Sequence, residues 1–140
     1  MSDRFFLDTN IFVYSFDQSA PVKAQIAARL LREALTTQKG VINYQVVQEF
    51  FNVALRRFSQ PMSAMDAEQY LRMVFQPLLA VHSSQALYVE ALHLQAQSRL
   101  SWYDSLIVSS AIQAHCDLLY TEDLQHGQRF GGLRVMNPFL

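Results

Sequence analysis

Apolar residues in this chain fall into short runs that alternate with longer stretches of helical spacing. Residues 4–7 (RFFL) are a brief apolar run that stops at Asp8-Thr9-Asn10, a strand leading into a turn or helix start. From Pro21, the positions Val22, Ile26, Leu30 and Ala34, with Ala27, Leu31 and Leu35 beside them, mark one helix face. Gly40 and residues 41–43 read as a second strand. Residues 45–58 then run helical, with Val46, Val47, Phe50, Phe51, Ala54 and Phe58 on one side. Pro61 breaks the pattern, and Ser63 to Asp66 is a capping box opening the next helix. Pro77 is expected to end that helix before a third strand at 78–81. Residues 84–99 are helical again. Residues 102–115 carry the clearest helical signal, with Tyr103, Leu106, Ile107, Ser110, Ala111 and Ala114 in register. Residues 118–120 and 134–136 close the chain as strands.

Five short strands separated by helices imply parallel pairing through helical crossovers. The expected architecture is a three-layer α/β fold with helices on both faces of the sheet. No internal repeat, low-complexity tract or linker interrupts it, and 140 residues correspond to a single domain over 1–140. A chain that is 51% hydrophobic and 16% charged is not disordered. A lone cysteine, Cys116, excludes an intrachain disulfide and a cysteine-rich zinc site, and it suits a reducing compartment. The N-terminal residues show no signal-peptide pattern, and no apolar run approaches the roughly 20 residues of a membrane span. Cytoplasmic residence, away from the membrane, is the expectation.

The acids carry the chemical signal. Asp8 follows the first strand, and Asp123, in Thr121-Glu122-Asp123, follows the fourth. In open α/β sheets ligands gather beyond the carboxyl ends of the strands, where the strand order reverses. If strands 1 and 4 are neighbours there, Asp8 and Asp123 share one crevice. Asp104 opens the helix at 102, and Glu49 interrupts an otherwise apolar helix. Each also has a structural explanation: Asp8 as a cap, Asp104 in a capping box from Ser101, Thr121 or Asp123 as a cap, and Glu49 on a polar edge. Four carboxylates crowded together would repel, at about 4 kcal/mol per pair at 4 Å and an effective dielectric near 20. A divalent ion removes that cost. Carboxylates without Cys or His partners favour Mg2+ or Mn2+, and such a centre suits phosphodiester hydrolysis by metal-activated water.

Other phosphate and hydrolytic chemistries lack their motifs. There is no Walker A or Gly-x-Gly-x-x-Gly loop and no Gly-x-Ser-x-Gly elbow. Asp8-Thr9-Asn10 lacks the second aspartate of dehalogenase-type phosphatases. The third strand is followed by His82-Ser83-Ser84 rather than the aspartate a receiver domain requires.

Asp8-Thr9-Asn10, Val46-Val47-Gln48-Glu49-Phe50, Tyr103-Asp104-Ser105-Leu106-Ile107-Val108 and Thr121-Glu122-Asp123, in that order, resemble the four-acid pattern of PIN-domain ribonucleases. The closest likeness is to VapC-type toxins of toxin–antitoxin pairs, and it extends to the ending Gly131 to Phe139. The resemblance implies a parallel five-stranded sheet of order 3-2-1-4-5. It also implies an acidic site of Asp8, Glu49, Asp104 and Asp123 holding one or two Mg2+ or Mn2+ ions. Asn10 would order the loop after the first strand, Thr121 would orient water or phosphate, and Glu122 would contact a second ion. The implied activity is cleavage of a structured RNA, tRNA or rRNA, by a homodimer silenced by an antitoxin segment in the groove. A processing nuclease without an antitoxin, or a non-catalytic PIN-like binding module, remains an alternative reading.

Smaller signals qualify this picture. Tyr103 fits the apolar face of its helix, whereas Trp102 is open to stack a base. Arg56 and Arg57 suit a helix C-terminus. The four histidines show no metal-ligand spacing, though His126 and Arg129 fall where a groove would run. Phe50 and Phe51 read as core or dimer surface. The formal charge of −1 argues against a partner bound through bulk charge. Setting the four acids aside leaves 11 basic against eight acidic residues, and nine of the basic ones are arginine, suited to forked phosphate contacts.

Overall fold

In the computed structural model, which describes residues 2–140, the strands β1 (Phe5–Leu7), β2 (Gly40–Asn43), β3 (Leu79–Val81) and β4 (Leu118–Tyr120) form one sheet with β5 (Arg129–Phe130) and β6 (Leu133–Met136). The order is β3-β2-β1-β4-β6-β5. The pairs β1/β2, β1/β4, β2/β3 and β4/β6 are parallel. Strand β1 is central, and all three of its side chains are buried. A strand covered on both faces reads as a continuous apolar run rather than an alternating one, which is why Phe5, Phe6 and Leu7 are uniformly apolar.

The helices are α1 (Thr9–Tyr14), α2 (Pro21–Thr37), α3 (Tyr44–Ala54), α4 (Ala64–Tyr70), α5 (Gln76–Leu78), α6 (Gln85–Ser98) and α7 (Trp102–Gln113). The chain steps outward from β1 to β2 to β3, so right-handed crossovers lay α2 to α5 on one face. The return from β3 to β4 lays α6 and α7 on the other. Contacts follow this division: α6 packs on α7, α7 on β2 and β4, and α2 on α1, α5 and β2. Among the described residues no helix is long and apolar enough to cross a membrane.

The α/β class and the parallel pairing are as the alternation of strands and helices implied, and the order of the five expected strands is as the resemblance implied, with residues 134–136 inside β6. The sheet has a sixth strand: β5 pairs antiparallel with β6 through the turn at Gly131-Gly132. Two residues are too few to show alternation, so no sequence pattern marks them. The third helix ends at Ala54 rather than 58, because the chain turns back and the Met62 amide donates to the Ala54 carbonyl at 2.9 Å. Arg56 and Arg57 therefore lie beyond the last turn rather than within it, where a helix over 45–58 would place them. Pro77 does not end its helix before the strand. A widened π turn at Leu71–Phe75 shifts the hydrogen-bond register, and Pro77 falls in the first turn of α5, where its missing N–H is tolerated.

Gly40 fixes how closely α2 approaches the sheet. A Cβ there would stand 2.2 Å from the Ala34 Cβ and 2.9 Å from its Cα. Backbone cannot yield as a flexible side chain does. Gly40→Ala is expected to destabilise the fold by about 1–3 kcal/mol, read as a lowered urea midpoint; an unchanged midpoint would show that α2 shifts freely.

Candidate active site

The switch point of the sheet lies between β1 and β4, and both strands deliver an acid there. Leu7 is in register with Tyr120, and the Asp8 amide donates to the Tyr120 carbonyl at 3.1 Å. Asp8 is buried and caps α1, with Oδ1 accepting from the Thr9 amide at 2.7 Å. Its Oδ2 accepts from the Thr121 hydroxyl at 2.8 Å. That hydroxyl in turn accepts from the Asp123 amide at 3.1 Å. Asn10 reaches over from α1, and its Nδ2 donates to Asp123 Oδ2 at 3.1 Å.

The other two acids arrive on helices. Asn43, buried at the end of β2, caps α3 by accepting from the Val46 amide at 3.0 Å. Its Nδ2 donates to Ser110 Oγ of α7 at 2.8 Å. One side chain thus ties together the two helices that carry Glu49 and Asp104. Asp104 lies in the first turn of α7, where its amide donates to the capping Ser101 hydroxyl at 3.1 Å. Glu49 and Asp123 are exposed, and Asp104 is half-buried.

Their fields overlap. Burial, then the charges of Asp123 and Glu49, push the Asp8 carboxyl up to about 7, against the lowering effect of the Thr9 and Thr121 hydrogen bonds. Asp123 is also raised, by desolvation first and by the charge of Asp104 next, while Asn10 pulls it down. All four acids are therefore coupled at one end of the sheet, Asp8 through Glu49 and Asp123, and Asp123 through Asp104.

Two roles implied by the resemblance do not fit the contacts. Thr121 has no exposure and its hydroxyl is engaged on both sides, so it holds Asp8 and Asp123 in place rather than orienting water or phosphate. Glu122 is engaged elsewhere: the Tyr14 hydroxyl donates to its Oε1 at 2.7 Å, and Lys23 Nζ stands 3.5 Å from its Oε2. These partners on α1 and α2 lie about a hundred residues away in sequence, and no local pattern announces them. Trp102 and Tyr103 also exchange places. Tyr103 is 66% exposed, while Trp102 is half-buried beside Tyr88. Because α7 begins at Trp102, the second residue emerges before the helix meets the core.

Among the neighbouring groups, His126 Nδ1 accepts from the Asn137 amide at 3.0 Å and ties its loop to the C-terminal segment. Arg129 lines a cleft of about 860 Å3 with Asp117 and His115, which precede β4, so it sits at the opposite end of the sheet from the acids. Cys116 is buried and its thiol is pushed up to about 12 by burial, as an inert thiol should be.

Among the described residues no three acids, histidines or cysteines are gathered into a ready-made cage for a metal ion. The donor chemistry nevertheless fits a hard divalent cation. The coupled groups are all carboxylates, their mutual repulsion raises Asp8, and the Asn10 Oδ1 is a buried oxygen without a partner.

Residues 5–129 match the family model described as PIN domain. The chain belongs to the PIN domain family. This PIN domain is also similar in fold to a toxin-antitoxin complex from Klebsiella pneumoniae, with a TM-score of 0.68 and 19% identity over 95% of this chain and 96% of that one. A second similar structure is FitAcB from Neisseria gonorrhoeae, with a TM-score of 0.61 and 16% identity over 96% and 98% of the two chains. At these identities the likeness is one of fold. No curated protein matches this PIN domain by sequence.

Proposed function

We propose that this PIN domain, spanning 1–140, is a divalent-metal-dependent endoribonuclease acting in the cytoplasm as the toxin of a toxin–antitoxin pair. The observation that supports the reading is that Asp8 and Asp123 flank the β1/β4 switch point, where Asp8 feels the charges of Asp123 and Glu49 and is pushed up to about 7, and Asp123 feels that of Asp104. The fold likeness to two structures named as a toxin-antitoxin complex and FitAcB supports the partner class. Structured RNA, tRNA or rRNA, is the proposed substrate, and a homodimer the proposed assembly.

Asp8, Glu49, Asp104 and Asp123 would hold one or two Mg2+ or Mn2+ ions. When bound, the cation supplies charge neutralisation at a phosphoryl oxygen and a more acidic water. The chain's own work is positional. Thr121 and the Thr9 amide fix both oxygens of Asp8, Asn10 fixes Asp123, and Asn43 holds α3 against α7 so that Glu49 and Asp104 face the same end of the sheet. The same acids would receive a basic side chain from an antitoxin, so inhibition and catalysis share one charge cluster.

Total cellular RNA incubated with the protein should be cut at discrete sites with Mg2+ or Mn2+ and left intact with EDTA. Cleavage that persists in EDTA would overturn the metal mechanism. Co-purification with the product of a small neighbouring reading frame would separate a toxin from a processing nuclease.

A further inference from the structure

Beside the acids lies a second feature that the nuclease chemistry does not use. A cavity of about 320 Å3 opens between α3, α6, α7 and the segment after β3. Its lining includes two aromatic pairs. Tyr44 and His82 have ring centroids 5.3 Å apart, and Tyr88 and Trp102 stand 6.1 Å apart. Tyr103 adds an exposed ring at the mouth. The polar groups are amides, hydroxyls and the His82 imidazole, and among the described residues no carboxylate, lysine or arginine lines the cavity.

Gln45 presents an unpaired acceptor at this cavity. Its Oε1 is buried without a hydrogen-bond partner, while its Nε2 donates to the Tyr103 carbonyl at 3.3 Å. Buried acceptors are ordinarily paired, and an unpaired one costs stability. An N–H on the edge of a planar heterocycle would satisfy it. Rings for stacking together with an amide for edge recognition are what proteins use to hold an unpaired nucleobase. A cavity lined by rings and amides, with no lysine or arginine among the described residues, suits the base and not the phosphate.

Position strengthens the argument. Gln45 and Glu49 lie four residues apart on α3, about 6 Å along the axis, and Tyr103 immediately precedes Asp104. The cavity is therefore built on the same two helices that carry two of the acids. We propose that it is a nucleobase subsite, which takes an unpaired base flanking the phosphodiester presented to the acids. The inference rests on the ribonuclease reading and adds a specificity determinant to it.

Trp102 is the chain's single tryptophan, so its emission reports on this cavity. The full-length protein in EDTA, where no cleavage competes, is titrated with tetraribonucleotides of A, C or U and with an abasic tetramer. At least one base-bearing tetramer should change the emission saturably, and the abasic one should not. Tyr44→Ala, at a 43% exposed position, should weaken that binding about tenfold. Gln45→Met should do likewise while leaving the melting temperature unchanged or higher, because it removes an unpartnered buried oxygen. An equal response to the abasic tetramer, or undiminished affinity in both variants, overturns the subsite. A response to N-acetyl-phenylalaninamide but to no tetramer also overturns it and marks a peptide site. Because binding is read without turnover, the two readings separate. Intact emission changes with no nuclease activity on total RNA would fail the enzyme and keep the subsite. Unchanged cleavage sites and KM in Tyr44→Ala, with a silent Trp102, would fail the subsite alone.

Discussion

Phe50→Ala is expected to destabilise the folded chain by about 3–5 kcal/mol, the upper range for a large-to-small change in a core. Phe50 is fully buried, and its ring meets Phe12, Phe16, Phe51, Phe58, Tyr70 and Phe75 at centroid separations of 5.1–6.4 Å. Removing it deletes the centre of an aromatic cluster drawn from α1, α3, the turn after α3, and the α4–α5 segment. Those groups cannot all collapse inward, since four of them are anchored on separate helical segments. Each ring pair also contributes about 0.5–1.5 kcal/mol beyond area burial, though such terms do not simply add. Urea unfolding measures the loss, with Met65→Ala as a control expected within about 0.5 kcal/mol at an 80% exposed site. A loss below about 1 kcal/mol would mean that the cluster repacks. The effect should also reach the acids, because Glu49 is the preceding residue on α3. Phe50→Leu, which keeps most of the volume, should retain far more of any cleavage activity than Phe50→Ala.

The aromatic cluster also shows how far the sequence could be read. The spacing puts Phe50 and Phe58 on the apolar side of one helix, and both do join one cluster. The periodicity of 45–58 nevertheless misplaces the helix end, because Phe58 returns to Phe50 through a turn rather than along a helix. Spacing records which residues face the core but not the path that brings them there. Pro77 teaches the same lesson from the other side. A proline interrupts a helix only if its missing N–H falls where a bond was due, and the π turn ahead of it removes that condition.

At the acids, the legible part was the conflict between residue type and place. Carboxylates stand at the ends of two strands and inside helices where apolar or neutral groups would pack at less cost, and the parallel order then brings the strand ends together. The sequence does not disclose that Asp8 alone is buried while Glu49 and Asp123 are exposed. It gives Thr121 a hydroxyl but not the two neighbours that engage it. It offers no hint that Glu122 turns to Tyr14 and Lys23, because that choice is made by α1 and α2 packing beside the loop after β4. Trp102 and Tyr103 fail for a related reason: an i, i+4 pattern fixes the face of a helix but not where the helix emerges from the protein. The near-zero net charge misleads only as a total, since four of the twelve acids belong to one end of the sheet.

Asp8→Asn should make the metal-free protein more stable at neutral pH and at the same time abolish its cleavage of RNA. The stability half follows from proton binding. In the unfolded chain the Asp8 carboxyl titrates near its ordinary 3.8, and in the folded chain burial and its acidic neighbours hold it near 7. Between those values the folded state keeps a proton that the unfolded state has released, so stability falls as pH rises through that window and levels off above it. The raised Asp123 contributes in the same direction. At about 1.4 kcal/mol per pKa unit, the loss tied to Asp8 amounts to several kcal/mol by pH 8, and the asparagine variant does not incur it. Wild type minus variant, measured by urea unfolding from pH 4 to pH 8 in EDTA, isolates this one group from every other titration. Mg2+ or Mn2+ should restore the wild type at pH 8 by mass action and leave the variant nearly unmoved. Cleavage should fall by more than about a hundredfold, since loss of even an outer-shell partner of a metal ligand costs about 10- to 100-fold. A variant whose stability tracks the wild type across the whole range would show that Asp8 ionises normally in the fold. A variant that is stabilised yet cleaves at the wild-type rate would separate the buried charge from the chemistry and leave Asp8 a helix cap alone.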